Sequence, residues 1–245
     1  RIQGDMAGFV IENPIAGGHN APPRGQMQLT ADGQPVYGPR DTADLALFRK
    51  LGLPFWLAGG YGSRDKLNEA LSLGASGVQV GTPFALCTES GLDPDCRRSL
   101  MTAALAGRAR VFTDPKASPT GFPFKVAELE GSLSDPAVYA RRQRVCDLGF
   151  LREVYRKPDG TIGYRCPAEP VAAYLAKGGQ EADTVGRKCL CNALVANIGM
   201  PQRLRDGSRE LPLVTLGDDV TNVARFCTDG NPDFSAADVI RRMLG

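Results

Sequence analysis

The sequence has few of the features that mark several large classes of protein. It contains one histidine and one tryptophan, and its 29 basic side chains nearly balance its 27 acidic ones. A net charge of +2 gives no electrostatic reason to expect nucleic acid or an anionic membrane surface as a partner. No apolar run approaches the roughly 20 residues of a membrane-spanning helix. What is present, 245 residues of which 42% are apolar, predicts a globular protein with a sizeable core.

The seven cysteines include no CxxC pair, and only His19 is available to complete a metal site with them. Zinc ligands usually come as closely spaced Cys and His residues, so the sequence predicts no metal site. Cys189 and Cys191 are the one tight pair; on a helix they point about 200° apart, which disfavours a shared ligand site or a mutual disulfide. We expect reduced thiols in a cytoplasmic protein. Arg1 in place of Met leads us to expect a processed chain or a piece of a longer one.

Short apolar runs alternate with amphipathic segments in the first part of the chain. Strands are predicted at residues 9–11, 55–58 and 77–80, and helices at residues 45–51 and 63–74. Strands that alternate with helices form a parallel sheet, either open or closed as a (β/α)8 barrel. About three such units precede residue 108, whereas a whole barrel needs roughly 250 residues. The sequence therefore predicts only part of a barrel.

Two local signals add detail to this part of the chain. Asp41 is the predicted N-cap of the helix at residues 45–51, because a carboxylate there accepts hydrogen bonds from the first free amides. Asp32-Gly33, between two short alternating runs within residues 26–37, predicts a β-hairpin.

The chain changes character at about Ser118, where a proline-rich stretch over residues 118–124 predicts an ordered loop. Helix-start signals and one Asp-Gly turn signal follow. They predict a helix over residues 135–148, a hairpin around Asp159-Gly160, and helices over residues 190–198 and 235–244. We therefore expect a barrel part at residues 1–117 and a mostly helical extension at residues 118–245.

His19 follows the first predicted strand, in the stretch Gly17-Gly18-His19-Asn20. An imidazole has an unperturbed pKa of roughly 6.5, so it exchanges protons at modest cost near neutral pH. A single imidazole where a strand meets a glycine pair is the best candidate in this chain for a general base. The alternative is an ordinary core or surface histidine.

Glycine-rich turns follow the second and third predicted strands, each at the start of a helix. Free amides and the positive end of the helix dipole bind phosphate there, and glycine lets the backbone approach it closely. We predict that the amides of Gly59, Gly60 and Gly81, with the Thr82 hydroxyl, hold a cofactor phosphate. The alternative is that these glycines only form turns.

Three motifs in order, at residues 13–20, 54–62 and 77–85, resemble the second half of the nitronate monooxygenase family, also called 2-nitropropane dioxygenase-like proteins. The resemblance covers residues 5–126. It implies the C-terminal βα units of an FMN-dependent (β/α)8 TIM-type barrel, related to flavin-type enoyl-ACP reductases. By that resemblance His19 matches the catalytic base. The residues that match flavin-contacting turns are Gly18, Gly59, Gly60, Gly81 and Thr82.

The resemblance implies an oxidoreductase in which His19 removes an acidic C–H proton and FMN carries the electrons. One alternative is a flavin-dependent enoyl reductase, with NAD(P)H as donor and a thioester substrate. A phosphate-binding isomerase or aldolase barrel is another. A different class of alternative is a non-catalytic or partner-requiring barrel fragment, completed by an N-terminal half or by a homo-oligomer, because half a barrel exposes strand edges.

Other residues near these motifs have several possible roles. Asn20 either orients the His19 ring or binds a substrate oxygen, or it is merely solvated. Arg24 is expected on the surface and Trp56 in the core. Three residues flank the proline-rich loop and either cover the site or lie in solvent, namely Lys116, Ser118 and Lys125.

Overall fold

The computed structural model describes residues 4–228 and 231–245 and has an α/β fold. Its strands are β1 (Phe9–Glu12), β2 (Phe55–Ala58), β3 (Gly77–Gln79), β4 (Val111–Asp114), β5 (Phe124–Ala127), β6 (Glu153–Arg156) and β7 (Ile162–Arg165). Its α-helices are α1 (Leu45–Lys50), α2 (Arg64–Ser72), α3 (Thr82–Leu86), α4 (Pro94–Leu105), α5 (Pro136–Ala140), α6 (Val171–Ala176), α7 (Glu181–Thr184), α8 (Leu190–Ala196) and α9 (Ala236–Leu244). Two 3-10 helices span Pro39–Asp41 and Asp218–Phe226.

Strands β1, β2 and β3 form a parallel sheet with β2 in the centre, as the alternating pattern predicts. Parallel neighbours need a crossover, and α1 and α2 supply the two connections. The sheet is anchored by Phe55 and Leu57, whose buried side chains pack with Ala70 of α2. Ser63 caps α2 by accepting a hydrogen bond from the backbone N–H of Lys66, which confirms that predicted helix start.

One local prediction in this half is wrong, and another is met only in reduced form. The N-cap of α1 is Asp44 rather than Asp41, because the Asp41 carboxylate accepts from the backbone N–H of Gly38 and so closes the preceding 3-10 turn. The predicted hairpin within residues 26–37 reduces to a single bridge between Leu29 and Pro35. Two backbone hydrogen bonds close this bridge, from the Thr30 N–H to the Gln34 carbonyl at 2.8 Å and from the Val36 N–H to the Gln28 carbonyl at 2.9 Å.

The extension is less helical than predicted. Its first strand, β5, pairs antiparallel with β4, and the hairpin β6–β7 turns around Asp159-Gly160 as expected. The helix predicted over residues 135–148 ends at Ala140. Beyond that point the chain turns inward, and Arg142 forms a buried ion pair with Glu210 that overrides the helical pattern. The predicted helices over 190–198 and 235–244 are confirmed as α8 and α9.

The largest hydrophobic core includes residues from both sides of the expected boundary at 117/118. Leu86 and Leu100 of the first part pack in one cluster with Val223, Phe226 and Val239 of the second. The division into two parts stays a prediction, but the two parts share this core. Among residues 4–228 and 231–245, no helix combines the length and the apolar character that crossing a membrane demands.

Candidate functional site

A cavity of about 290 Å³ opens where the three parallel strands end. Its walls include the loops that follow β1, β2 and β3, so the carboxyl ends of all three strands face one space. In parallel α/β folds this edge of the sheet is the usual place for a ligand. All five residues predicted to contact a flavin line the cavity, namely Gly18, Gly59, Gly60, Gly81 and Thr82.

The turn after β2 requires its glycines for structural reasons. Gly59 and Gly60 have φ values of +90° and +73°, a region that favours glycine. A Cβ on Gly59 would lie 2.3 Å from Oδ1 of Asn13, and one on Gly60 would lie 2.4 Å from Cδ1 of Ile15. Asn13 also braces the turn, because its side-chain amide donates to the Gly59 carbonyl at 2.7 Å. At these two positions turn formation by itself accounts for glycine.

Gly81 differs from them. Its φ is −112°, and a Cβ added there would meet no atom within 4 Å. Neither the backbone conformation nor the packing of the chain therefore demands glycine at this position, and the added atom would take up space at the cavity. Within the described residues, the backbone N–H groups of Gly60 and Gly81 donate to no protein acceptor. Free donors beside open space suit an anionic ligand.

Two of the predicted contacts are partly engaged within the protein. The Thr82 hydroxyl oxygen accepts a hydrogen bond from the backbone N–H of Gly217 at 2.9 Å, which leaves its own O–H free to donate. The backbone N–H of Gly18 donates to the Thr215 hydroxyl at 2.8 Å, so this amide is already satisfied.

Part of the cavity wall comes from the C-terminal region, which sequence reasoning missed. Thr215, Leu216, Gly217 and Asp219 all line it. The segment approaches the first loop backbone to backbone, since a Cβ on Gly217 would lie 2.7 Å from the Ile15 carbonyl oxygen. The sequence did contain a usable signal: residues 213–216 form a mostly apolar run that is followed by a glycine, as are the second and third predicted strands.

Most charges around the cavity are paired; Glu12, which also lines it, accepts a hydrogen bond from the Gln79 side-chain amide and forms no ion pair within the described residues. Asp219 forms an ion pair with Arg225 at 2.6 Å, and Arg225 also donates to the Gly62 carbonyl. Lys125, which sequence reasoning placed beside a loop, is buried and paired with Asp218 at 2.7 Å. Recognition of an anion here therefore depends on neutral donors, chiefly backbone N–H groups.

His19 lies next to the cavity rather than in its wall. Its Nε2 is 2.7 Å from the hydroxyl oxygen of Ser118, and its ring packs edge-on against Phe124 with 4.9 Å between the centroids. Ser118 is fully buried and also bonds the Thr120 hydroxyl at 2.8 Å, so it holds a fixed position. Partial burial lowers the pKa of His19, which keeps the imidazole neutral and able to accept a proton at pH 7.

The other sequence candidates lie away from this chemistry. Asn20 is buried and its amide donates to the Ala16 carbonyl, so it does not orient the His19 ring. Trp56 packs over Gly8 and Gly77 but is only half-buried, so it does not lie in the core as expected. Arg24 and Lys116 are exposed, as a surface role predicts.

Comparison with known proteins agrees with the family suggested by the motifs. Residues 3–116 match the family described as nitronate monooxygenase. The nitronate monooxygenase of Paraburkholderia phytofirmans is 30% identical over 155 residues, 58% of this chain and 38% of that protein. The nitronate monooxygenase of Pseudomonas aeruginosa is 37% identical over 113 residues, 41% of this chain and 29% of that protein.

Among solved structures, FabK from Thermotoga maritima is similar at 16% identity and a TM-score of 0.44, covering 97% of this chain and 53% of FabK. The chain matches little more than a third of the length of the nitronate monooxygenase of Paraburkholderia phytofirmans. The three motifs nevertheless fall inside the region that the family description matches, which confirms the resemblance drawn from them. Over residues 3–116, a little under half of its length, the chain is similar to the nitronate monooxygenase family.

Proposed function

We propose that this chain forms the phosphate end of an FMN site in an oxidoreductase of the nitronate monooxygenase type, with His19 as the general base. The observation that carries the proposal is Gly81. Neither backbone strain nor packing requires a glycine at position 81. The free backbone N–H of Gly81 borders the cavity together with that of Gly60.

The donor set fits a phosphate. The amides of Gly60 and Gly81 and the hydroxyl of Thr82 border one cavity, and neutral donors of this kind bind phosphate well at strand ends. Bound flavin would supply the transfer of electrons between the substrate and a second reactant. The residues of this chain would bind and orient that group and keep its phosphate end out of bulk water.

His19 would carry the proton. In the tautomer whose Nε2–H donates to the Ser118 hydroxyl oxygen, Nδ1 is the nitrogen that accepts a proton from an acidic C–H group of a small substrate. The lowered pKa keeps the imidazole in its neutral form at pH 7. In this proposal Ser118 is a positioning residue that fixes the ring.

The sheet supports a barrel completed by further strands. Within the described residues, β1 and β3 each pair only with β2, so both outer edges of the parallel sheet are open. Open edges of buried parallel strands normally acquire a partner strand. We propose that an N-terminal barrel half or a second copy supplies it, in a cytoplasmic protein whose thiols stay reduced.

Calorimetric titration of the chain with FMN and with riboflavin tests the phosphate site. We expect FMN to bind more tightly than riboflavin, and Gly81→Ala to remove most of that difference while leaving the riboflavin affinity unchanged. Equal binding of both ligands, or an unchanged FMN affinity in Gly81→Ala, would contradict the proposed site.

The reaction type is tested by rapid-mixing measurement of flavin reduction, in the chain supplemented with its N-terminal barrel half. Reduction by an alkyl nitronate in the absence of a nicotinamide supports the monooxygenase. Reduction by NAD(P)H alone would instead favour the enoyl reductase.

A further inference from the structure

The segment between α7 and α8 packs along the loop that follows β4. Gly186 lies so close to this loop that an added Cβ would be 3.0 Å from the Cβ of Lys116. Two positions further on, the backbone N–H of Lys188 donates to the Ala117 carbonyl at 2.7 Å. The C-terminal extension therefore holds the loop that also carries the serine beside His19.

Arg187, between these two contacts, holds the same loop through its side chain. Its Nη1 donates to the Ser118 carbonyl at 2.7 Å and to the Lys116 carbonyl at 3.0 Å. Its Nε donates to the Asp183 carbonyl at 3.1 Å. Nη1 carries two N–H groups, so both have an acceptor. All three acceptors are backbone carbonyl oxygens, and the side chain therefore joins α7 directly to the backbone of the loop.

The Ser118 hydroxyl connects this loop to the imidazole. Its oxygen lies 2.7 Å from Nε2 of His19, accepts from the Thr120 backbone N–H at 3.2 Å and is 2.8 Å from the Thr120 hydroxyl. When Nε2–H and the Thr120 N–H donate to it, its own O–H donates to the Thr120 hydroxyl, so its hydrogen-bonding capacity is filled. Ser118 is fully buried, and a serine hydroxyl sits close to its own backbone. The position of the hydroxyl therefore follows the backbone that Arg187 holds.

The backbone of His19 is fixed by a different set of contacts. His19 forms an antiparallel bridge with Phe124, at the start of β5. The two backbone hydrogen bonds on either side of that bridge are 2.8 and 2.9 Å long, and both join residues outside the α7–α8 segment. Loss of the Arg187 side chain should therefore leave the bridge in place and act on the ring through Ser118.

We propose that Arg187 is a positioning residue for the general base, because it holds the Ser118 carbonyl and so fixes the hydroxyl against which the His19 ring is set. The inference rests on the proposed role of His19 in the reaction, and it gives the C-terminal extension a part in that reaction. Small displacements of a reacting group mainly slow the chemical step. Loss of Arg187 should therefore lower kcat and leave KM little changed.

Proton NMR of the single imidazole in the full chain tests the contact without flavin or substrate. Partial burial lowers the pKa of His19. Arg187→Met keeps an apolar stem but removes the donors, so it should loosen the loop, admit water to the ring and raise the midpoint toward about 6.5. Arg49→Met is the matched control, because Arg49 on α1 also donates to a backbone carbonyl, that of Leu73 at 2.8 Å. Its midpoint should equal that of the wild-type chain.

Two further variants separate the lost hydrogen bonds from a general disturbance of the fold. Arg187→Lys keeps a cationic donor that can reach a loop carbonyl, so it should return the midpoint most of the way to the wild-type value. If Arg187→Met does not fold, Arg187→Gln takes its place and should raise the midpoint in the same direction. An unchanged midpoint in a folded Met or Gln variant, or an equal shift in Arg49→Met, would overturn the proposal.

Flavin reduction by the chain together with its N-terminal barrel half tests the kinetic effect. Arg187→Met should lower kcat on the order of tenfold at little-changed KM, and Arg187→Lys should restore most of the rate. In a Ser118→Ala chain, Arg187→Met should cause little further loss, because its effect passes through Ser118. Additive losses would show a merely structural role and would overturn the proposal.

Failure of this inference and failure of the proposed function give different results. If His19 is not the base, His19→Gln leaves flavin reduction unchanged while Arg187→Met still shifts the NMR midpoint; the proposed function then fails, and the positioning role fails with it. If Arg187 does not position the ring, His19→Gln slows flavin reduction while Arg187→Met changes neither the midpoint nor kcat. Only the present inference fails in that case.

Discussion

The backbone N–H of Gly217 donates to the Thr82 hydroxyl at 2.9 Å, across 135 positions of the sequence. Thr82 begins α3 at one wall of the cavity, and Gly217 lies in the segment that forms another wall. The candidate site is therefore completed by residues close to the end of the chain. A ligand in the cavity would contact both parts of the sequence at once.

Replacing Thr82 by valine should lower both the free energy of unfolding and the affinity for FMN. Valine keeps the shape of threonine but removes the acceptor of the buried Gly217 N–H, which costs about 1–3 kcal/mol of the free energy of unfolding. It also removes the hydroxyl that we assign to phosphate. Urea unfolding and FMN titration measure the two effects. Thr82→Ser, which keeps the hydroxyl, should retain most of both properties; a Thr82→Val chain with wild-type stability would argue against the bond.

The glycines around the cavity should separate into two groups. Gly60→Ala places a Cβ 2.4 Å from Ile15 at a φ of +73°, so we expect a loss of roughly 1 kcal/mol or more in the free energy of unfolding. Gly81→Ala meets no atom, so its unfolding free energy should stay within about 0.5 kcal/mol of wild type. Its FMN affinity should fall on the order of tenfold, about 1.4 kcal/mol. Similar stability losses in both variants would show that Gly81 is also a structural glycine.

His19 should titrate below the ordinary value, and it can be observed alone because the chain has no other histidine. Partial burial lowers its pKa, so the folded chain binds a proton less readily than the unfolded chain. The fold should therefore lose stability as pH falls below about 6.5, and this loss should be absent from His19→Gln. Proton NMR of the single imidazole gives the midpoint directly. A midpoint at or above 6.5 would contradict the desolvated environment.

Loss of the imidazole should affect turnover but not flavin binding. With the completed barrel, His19→Gln should slow substrate-dependent flavin reduction by about 10²–10⁴-fold, as removal of a general base does, at unchanged FMN affinity. Ser118→Ala should give a smaller loss, because it frees the ring without removing the base. An unchanged rate in His19→Gln would remove this residue from the mechanism.

The parallel sheet could be predicted from the sequence because its signals are local. Phe55 and Leu57 occupy alternate positions of a short apolar run bounded by turn residues, and Ser63 is a recognisable helix cap. The grouping of Gly59 and Gly81 at one cavity follows from the same pattern, because carboxyl ends of parallel strands meet at one edge.

The features that could not be predicted depend on contacts between distant positions. Ser118 lies 99 positions from His19 in the sequence, although the two side chains are 2.7 Å apart in the fold. No local pattern indicates that this serine is buried. The hydrogen bond between Gly217 and Thr82 likewise joins positions that are far apart in the sequence. The helix predicted over residues 135–148 is wrong for a related reason, since its propensity is overridden by the ion pair between Arg142 and Glu210.

That ion pair provides a direct test of how far buried charge stabilises the extension. The Arg142 and Glu210 side chains are 4% and 2% exposed, and the Arg142 Nε–H donates to the carboxylate at 2.8 Å. Glu210→Gln should cost about 3–5 kcal/mol in the free energy of unfolding, because it leaves a buried guanidinium without its counter-charge. Glu69→Gln breaks the exposed pair with Lys66 and should cost less than about 1 kcal/mol. Equal urea-unfolding losses in the two variants would show that the Arg142–Glu210 pair is solvated and does not fix the chain beyond α5.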